Sequence, residues 1–338
     1  MTKSLDGKVA IVTGSGQGVG RGIALFMARE GAKVITNNRK PKSHDTISVN
    51  ESFRSLGVKG TPEFNAEEMR KILELRGDAE STAQEIMMEG GEATPFYGDV
   101  SDFETAGKMV QLAIEKYGRI DIIVNNAAGL GFGPFVEMKE SDWDYQTVTK
   151  LKGAYNLMSH AIPYMIKQGF GRILNCASDA WTGIASLSAY STANAGIVGL
   201  TKSTAKELDR FGITVNAYCP QAASPGHMSF RATLRTMMEE NGIKMDPNNN
   251  RVEESEREHG SAENVAPFLA YLCTEQASYV NGAVFTVTGG GRISLYSDPK
   301  IIKEIKKADE PWTVNELINQ IPETLLKDYV SIGKDREF

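Results

Sequence analysis

Val9, Ala10, Ile11 and Val12 form an apolar run that stops at a string of glycines, Gly14, Gly16, Gly18, Gly20 and Gly22. A short run closed off in this way predicts a buried strand, a tight turn and the start of a helix. Ile23, Leu25, Phe26 and Ala28 then give a helical stripe up to Gly31, and Lys33 to Thr36 is rich in β-formers, so the chain opens β-α-β. Further strand-like runs fall at 94–97, 120–124, 172–175, 214–217 and 283–287, with helical patterns between most of them. Strands alternating with helices predict a doubly wound parallel sheet covered on both faces.

Three stretches break this rhythm. Between Arg39 and Asp78 lie roughly forty residues where such a connection ordinarily needs only a few. Asn65-Ala-Glu-Glu offers a cap before Met69, Ile72 and Leu73, so this insertion is expected to carry its own helix. The second stretch, about 221–260, combines an amphipathic segment (Met228, Phe230, Leu234, Met237, Met238) with a polar, acidic run, and reads as a lid. The third follows the last strand with a basic helix-like patch (Lys300, Lys303, Lys306, Lys307) and then Trp312, Leu317, Ile318, Ile321, Leu325 and Leu326. The expected organisation is a single domain over 1–298 with insertions at about 40–78 and 221–260, and an extension over 299–338 packed on it.

Charge removes some functional classes. With 37 basic and 43 acidic residues the 338-residue chain has a net charge of −6, which argues against a broad nucleic-acid-binding surface. Its hydrophobic and charged fractions, 41% and 24%, are those of a globular protein able to build a sizeable core. Cys176, Cys219 and Cys273 have no CxxC spacing and His44, His160, His227 and His259 no ligand spacing, so neither a disulfide framework nor a metal centre is expected. No apolar run reaches the length of a membrane span and the amino terminus lacks a signal-like core, so the expectation is a cytoplasmic protein without a membrane anchor.

A glycine-rich turn between a strand and a helix lets backbone N–H groups approach a pyrophosphate at the positive end of the helix dipole. Here Thr13-Gly-Ser-Gly-Gln-Gly-Val-Gly resembles the TGxxxGxG turn of the short-chain dehydrogenase/reductase family. Asn125-Asn-Ala-Ala-Gly is similar to its NNAG segment, Asp99-Val100 to its adenine-side pair, and Ser178 with Tyr190-Ser-Thr-Ala-Asn to its Ser and YxxxK region with one change. Val215-Asn-Ala-Tyr-Cys-Pro and Gly282-Ala-Val-Phe-Thr-Val-Thr-Gly-Gly are similar to later family segments, so the likeness runs from 5 to 291 apart from the two insertions. The resemblance extends to 3-oxoacyl-thioester reductase-like members.

It implies one Rossmann-like α/β domain and hydride exchange between a nicotinamide cofactor and a ketone or secondary alcohol. It places the cofactor along Gly14, Ser15, Gly16, Gln17, Gly18, Val19 and Gly20, then Asn38, Arg39, Asp99 and Val100, then Asn126, Ala127 and Ala128, and finally Tyr190, Pro220 and Ala222. In this family a tyrosine moves a proton to or from the substrate oxygen, a serine polarises that oxygen, and a lysine one helical turn after the tyrosine stabilises its phenolate. Tyrosine needs such help, because its ordinary pKa near 10 makes it a poor base at neutral pH.

This chain carries Asn194 where the family has that lysine, and Lys150 where the family has an asparagine. The four side chains Lys150, Ser178, Tyr190 and Asn194 thus read as the family's tetrad with two members exchanged. Two readings stay open: an active enzyme in which Lys150 supplies the charge, and a catalytically silent subunit that partners a related active chain. Pro220-Gln221 also departs from the family's Pro-Gly.

Cofactor choice turns on the end of the second strand, where an acidic residue would bind ribose hydroxyls and repel a 2′-phosphate. Asn38 stands there with Arg39 next to it, which favours NADP(H) over NAD(H). The apolar lid and long tail point to a bulky or apolar substrate or a thioester. Ala193, Ala195, Gly196 and Gly199 after Tyr190 permit close helix packing, and the resemblance implies a homodimer or homotetramer, or a hetero-oligomer with a related subunit.

Overall fold

In the computed structural model, residues 3–41, 66–131, 133–228, 259–307 and 311–329 are described, with 232, 235 and 331. The chain divides into two compact units, Met1–Tyr296 and Ser297–Phe338.

The first unit holds β1 (Val9–Val12), α1 (Gly18–Arg29), β2 (Lys33–Asn38), α2 (Ala66–Glu74), α3 (Ala79–Met88), β3 (Glu92–Tyr97), α4 (Phe103–Tyr117) and β4 (Ile122–Asn125). There follow α5 (Glu140–Thr147), a π-helical turn (Val148–Lys152), α6 (Gly153–Gln168), β5 (Gly171–Cys176), α7 (Ser188–Leu208), β6 (Ile213–Gln221), α8 (Ala266–Leu272), β7 (Val284–Thr288) and β8 (Ile293–Leu295). The sheet order is β3-β2-β1-β4-β5-β6-β7-β8. All neighbours are parallel except β7 and β8. The order reverses between β1 and β4, which opens a crevice at the carboxyl ends of these strands.

Side-chain alternation sends core residues to both faces of the sheet. Ala10, Val12, Val34, Ile122, Val124 and Leu174 face one side with α1 and α8, whereas Val9, Ile11, Ile35, Ile123, Ile173 and Val215 face the other with α4 and α6. A period of two along strands buried on both faces produces this split. Pro95 is tolerated inside β3 because that strand is the sheet edge, where no further ladder bond is needed.

Two sequence expectations need correction. The sheet is not wholly parallel: β8, absent from the hydrophobic pattern, adds as an antiparallel edge, with Thr288 N–H bonding Arg292 at 2.8 Å to close the turn. Residues 300–307 are irregular instead of helical. Among the described residues of the second unit the helix is α9 (Val314–Gln320), started by Thr313 and Glu316 in a reciprocal capping box, while the Lys307 ammonium bonds Glu316 at 2.8 Å. The expected helix of the first insertion is present as α2, although its proposed cap, Asn65, lies outside the described residues. Most of the expected lid, including Phe230, Leu234, Met237 and Met238, also lies outside them.

Candidate active site

The glycine turn after β1 is built by contacts that leave no room for side chains. A Cβ on Gly20 would lie 2.4 Å from the Gly14 carbonyl oxygen and 2.4 Å from Asn126 Nδ2. One on Gly16 would lie 1.9 Å from Asn38 Oδ1 and 2.6 Å from Asp78 Cα. Gly14 and Gly18 also hold positive φ, 63° and 53°, which favours glycine on backbone grounds. Thr13 ties the turn to the end of β4, its hydroxyl accepting the N–H groups of Asn126 and Ala127 at 2.9 and 3.0 Å. The Asn126 amide in turn donates to the Thr13 carbonyl at 3.1 Å.

Within this turn Ser15 faces inward. It is fully buried, its hydroxyl accepts Asn37 N–H at 2.8 Å, and its carbonyl accepts the Thr82 hydroxyl at 3.0 Å. Its hydroxyl and carbonyl thus hold the turn against β2 and α3. Gln17 precedes α1 without capping it, and Val19 is half-buried in the first turn of α1.

Asn38 ends β2, and its Oδ1 is buried without a hydrogen-bond partner. Such an orphaned acceptor beside a glycine cradle fits the ribose hydroxyls of a dinucleotide. Arg39 is half exposed, with its guanidinium 4.0 Å from Asp99 and 5.9 Å from the Tyr145 ring centre. Asp99 receives the Ser101 N–H and hydroxyl at 2.9 and 2.7 Å, and Val100 next to it is buried against Gly153. Ala127 is half-buried and Ala128 exposed at the mouth of β4. Pro220 lies in β6 opposite Val287, and Ala222 is buried just beyond it.

The insertion reaches this region, which the sequence did not indicate. The Leu75 carbonyl accepts Gly18 N–H at 3.2 Å, and a Cβ on Gly77 would touch the Gly16 carbonyl oxygen at 2.6 Å. Asp78 brings an acidic residue beside Gly16, but its carboxylate accepts Ser81 N–H at 2.9 Å as the cap of α3.

The four tetrad positions come from three elements. Ser178 follows β5 and caps the 3-10 turn Asp179–Thr182, its hydroxyl accepting Ala180 N–H at 3.3 Å. Tyr190 sits half-buried in the first turn of α7. Asn194, one turn on, is fully buried; its amide donates to the Tyr190 carbonyl at 2.7 Å, and its Oδ1 has no partner. It is therefore not a surface amide.

Lys150 occupies the π-helical turn and is 3% exposed, so it is not a solvated helix lysine either. Its ammonium stands 5.6 Å from the centre of the Tyr190 ring. π-turns inside helices are frequent at functional sites. Burial of an ammonium is costly, and the negative face of an aromatic ring offsets part of that cost. Among the described residues no carboxylate lies within salt-bridge distance of this ammonium. Cys219 lies in the same neighbourhood: burial pushes its thiol up, Asp179 and Cys176 push the same way, and Lys150 opposes them.

Comparison with known proteins finds relatives along most of the chain. A model of the enoyl-(acyl carrier protein) reductase family matches residues 51–291. The chain is 31% identical to a 3-oxoacyl-[acyl-carrier-protein] reductase of Thermotoga maritima, a match covering 85% of this chain and 98% of that protein. It is 32% identical to L-rhamnose-1-dehydrogenase of Scheffersomyces stipitis, covering 87% of this chain and all of that one. The crystal structure of a short chain dehydrogenase from Mycobacterium avium aligns with a TM-score of 0.72 at 28% identity, covering 97% of this chain and 98% of the other. By its glycine turn, its doubly wound sheet and these matches over most of its length, the chain belongs to the short-chain dehydrogenase/reductase family and is an oxidoreductase of that type.

Proposed function

We propose that the protein reduces a ketone, or oxidises the corresponding secondary alcohol, with NADP(H), and that Tyr190, Ser178, Lys150 and Asn194 form its active site. The observation that carries this reading is the buried Lys150 ammonium set over the Tyr190 ring. When bound, the nicotinamide supplies or accepts the hydride. Tyr190 gives its phenolic proton to the carbonyl oxygen in reduction and takes it back in oxidation. Ser178 donates a hydrogen bond to the same oxygen and so favours the charge that develops on it. Lys150 favours the phenolate left on Tyr190, the part that the family's lysine plays from the position held here by Asn194. Asn194 fixes the backbone of Tyr190 and presents a buried acceptor to the site.

Two features support NADP(H). Arg39 is partly exposed next to the turn and able to pair with a phosphate, and Asn38 replaces an acidic residue that would repel one. The relative that acts on 3-oxoacyl chains supports a bulky, apolar or thioester substrate. A screen of ketones, alcohols and 3-oxoacyl thioesters with NADPH and NADH tests the reading. Turnover with a higher kcat/KM for NADPH is expected, and Arg39→Ala should erase at least half of that preference in logarithmic terms. Cofactor binding without turnover of any carbonyl or alcohol contradicts it.

We also propose a homodimer or homotetramer in the cytoplasm. On α7, Ala195 and Gly199 are exposed, whereas Ala193 is buried in the subunit's own core and Gly196 packs on Leu151. Only part of the small-residue face is thus open to a partner helix. All three cysteines are buried and unpaired, and no described helix is long and apolar enough to cross a membrane. Sedimentation at micromolar concentration should give a dimer or tetramer, and a monomer contradicts the assignment.

A further inference from the structure

Asp179 follows Ser178 directly, and its carboxylate gathers three groups that lie 42, 107 and 117 residues further along the chain. It accepts hydrogen bonds from the Gln221 amide at the end of β6, the Thr286 hydroxyl in β7 and the Tyr296 hydroxyl just after β8, the last at 2.6 Å. Gln221 is the residue that replaces the glycine of the family's Pro-Gly, and its amide oxygen also accepts from Arg292 at 3.4 Å. Tyr296 packs its ring edge-on against Trp181, with centres 5.2 Å apart, so the same tyrosine holds two residues of the turn that begins after Ser178. Burial, and then the bond to Asp179, push the Tyr296 hydroxyl up to about 12, which keeps it a proton donor across the neutral range.

Charge-assisted bonds of this kind are roughly twice as strong as neutral ones. Three of them on one carboxylate, from three separate elements, fix a turn more firmly than local backbone bonds can. The Ser178 hydroxyl lies one residue away, at the head of that turn. Loosening the anchor therefore displaces the group that must meet the substrate oxygen.

We infer that Asp179 is a positioning residue of the active site, held by Gln221, Thr286 and Tyr296 so that the turn presents Ser178 toward Tyr190. The inference rests on the reading of Ser178 and Tyr190 given above. It also assigns a part to the Gln221 departure: the amide is the donor that the Asp179 carboxylate requires.

The test is a reciprocal exchange, Asp179→Asn with Gln221→Glu. In Asp179→Asn alone, the new amide faces the Gln221 amide donor to donor. In the double variant, the amide introduced at position 179 can donate to the carboxylate introduced at position 221, while its oxygen still accepts from Thr286 and Tyr296. Misplacement of a positioned group commonly costs ten- to a hundredfold, so Asp179→Asn is expected to lower kcat about tenfold, with cofactor affinity and cofactor KM unchanged. The double variant should regain most of that loss. In parallel, acrylamide quenching is read with Trp181 as sole tryptophan (Trp143→Phe, Trp312→Phe); it should rise in Asp179→Asn and return in the double variant. Wild-type kcat and quenching in Asp179→Asn overturn the inference. So does a loss of kcat that follows thermal stability alone and is not relieved by the exchange. If no variant, wild type included, turns over a carbonyl, yet quenching follows the exchange, the anchoring stands and the proposed activity is what fails.

Discussion

Replacing Tyr190 by phenylalanine is expected to lower kcat about a thousandfold, with the cofactor dissociation constant held within about threefold. The substitution removes one hydroxyl and the proton it carries. It keeps the ring beneath the Lys150 ammonium and the Asn194 bond to the Tyr190 carbonyl, so the first turn of α7 stays in place. A thousandfold loss corresponds to about 4 kcal/mol of transition-state stabilisation, within what a positioned acid/base supplies. Steady-state rates and a fluorescence titration with NADPH, taken on the same preparation, separate the two quantities. A kcat within tenfold of wild type would show that the proton comes from elsewhere.

Hydrophobic patterning was enough to read most of the parallel sheet, because every parallel strand except the edge strand β3 is largely buried and appears as an apolar run. The glycine turn was legible for a similar reason, since the close approach of Gly14, Gly20 and Asn126 excludes side chains and leaves a mark in the residues themselves. β8 was not legible: Ile293 and Leu295 are exposed, only three residues pair, and an edge strand of that length has no periodicity to detect. The irregular course of 300–307 was misread because spaced lysines imitate a helix face, whereas the capping box that starts a helix lies later, at Thr313 and Glu316.

Within the proposed site, residue identity pointed to Lys150, Ser178, Tyr190 and Asn194 but not to how they lie together. That Lys150 turns inward depends on a π-turn between α5 and α6, and no residue pattern in 140–168 announces one. Asp179 was missed because its partners lie 42, 107 and 117 residues away, and only tertiary pairing of β6, β7 and β8 brings them together. The approach of Leu75 and Gly77 to the glycine turn was hidden for the same reason, since an insertion's own composition does not say where its end returns.

The exchange of lysine and asparagine between the two helices is the central claim, and turnover measured across Lys150→Ala, Lys150→Asn and Lys150→Asn with Asn194→Lys tests it most directly. If the buried ammonium at Tyr190 supplies the charge, Lys150→Ala and Lys150→Asn should each lower kcat about a hundredfold or more, with cofactor affinity much less affected. Asn194→Lys in the Lys150→Asn background returns the cation to α7, one turn from the tyrosine, and should recover at least tenfold of the lost rate. Asn194→Lys alone brings two ammonium groups to one ring and is not expected to help. Recovery in the double variant, after loss in both Lys150 variants, is the predicted result. Wild-type turnover in Lys150→Ala would contradict the account.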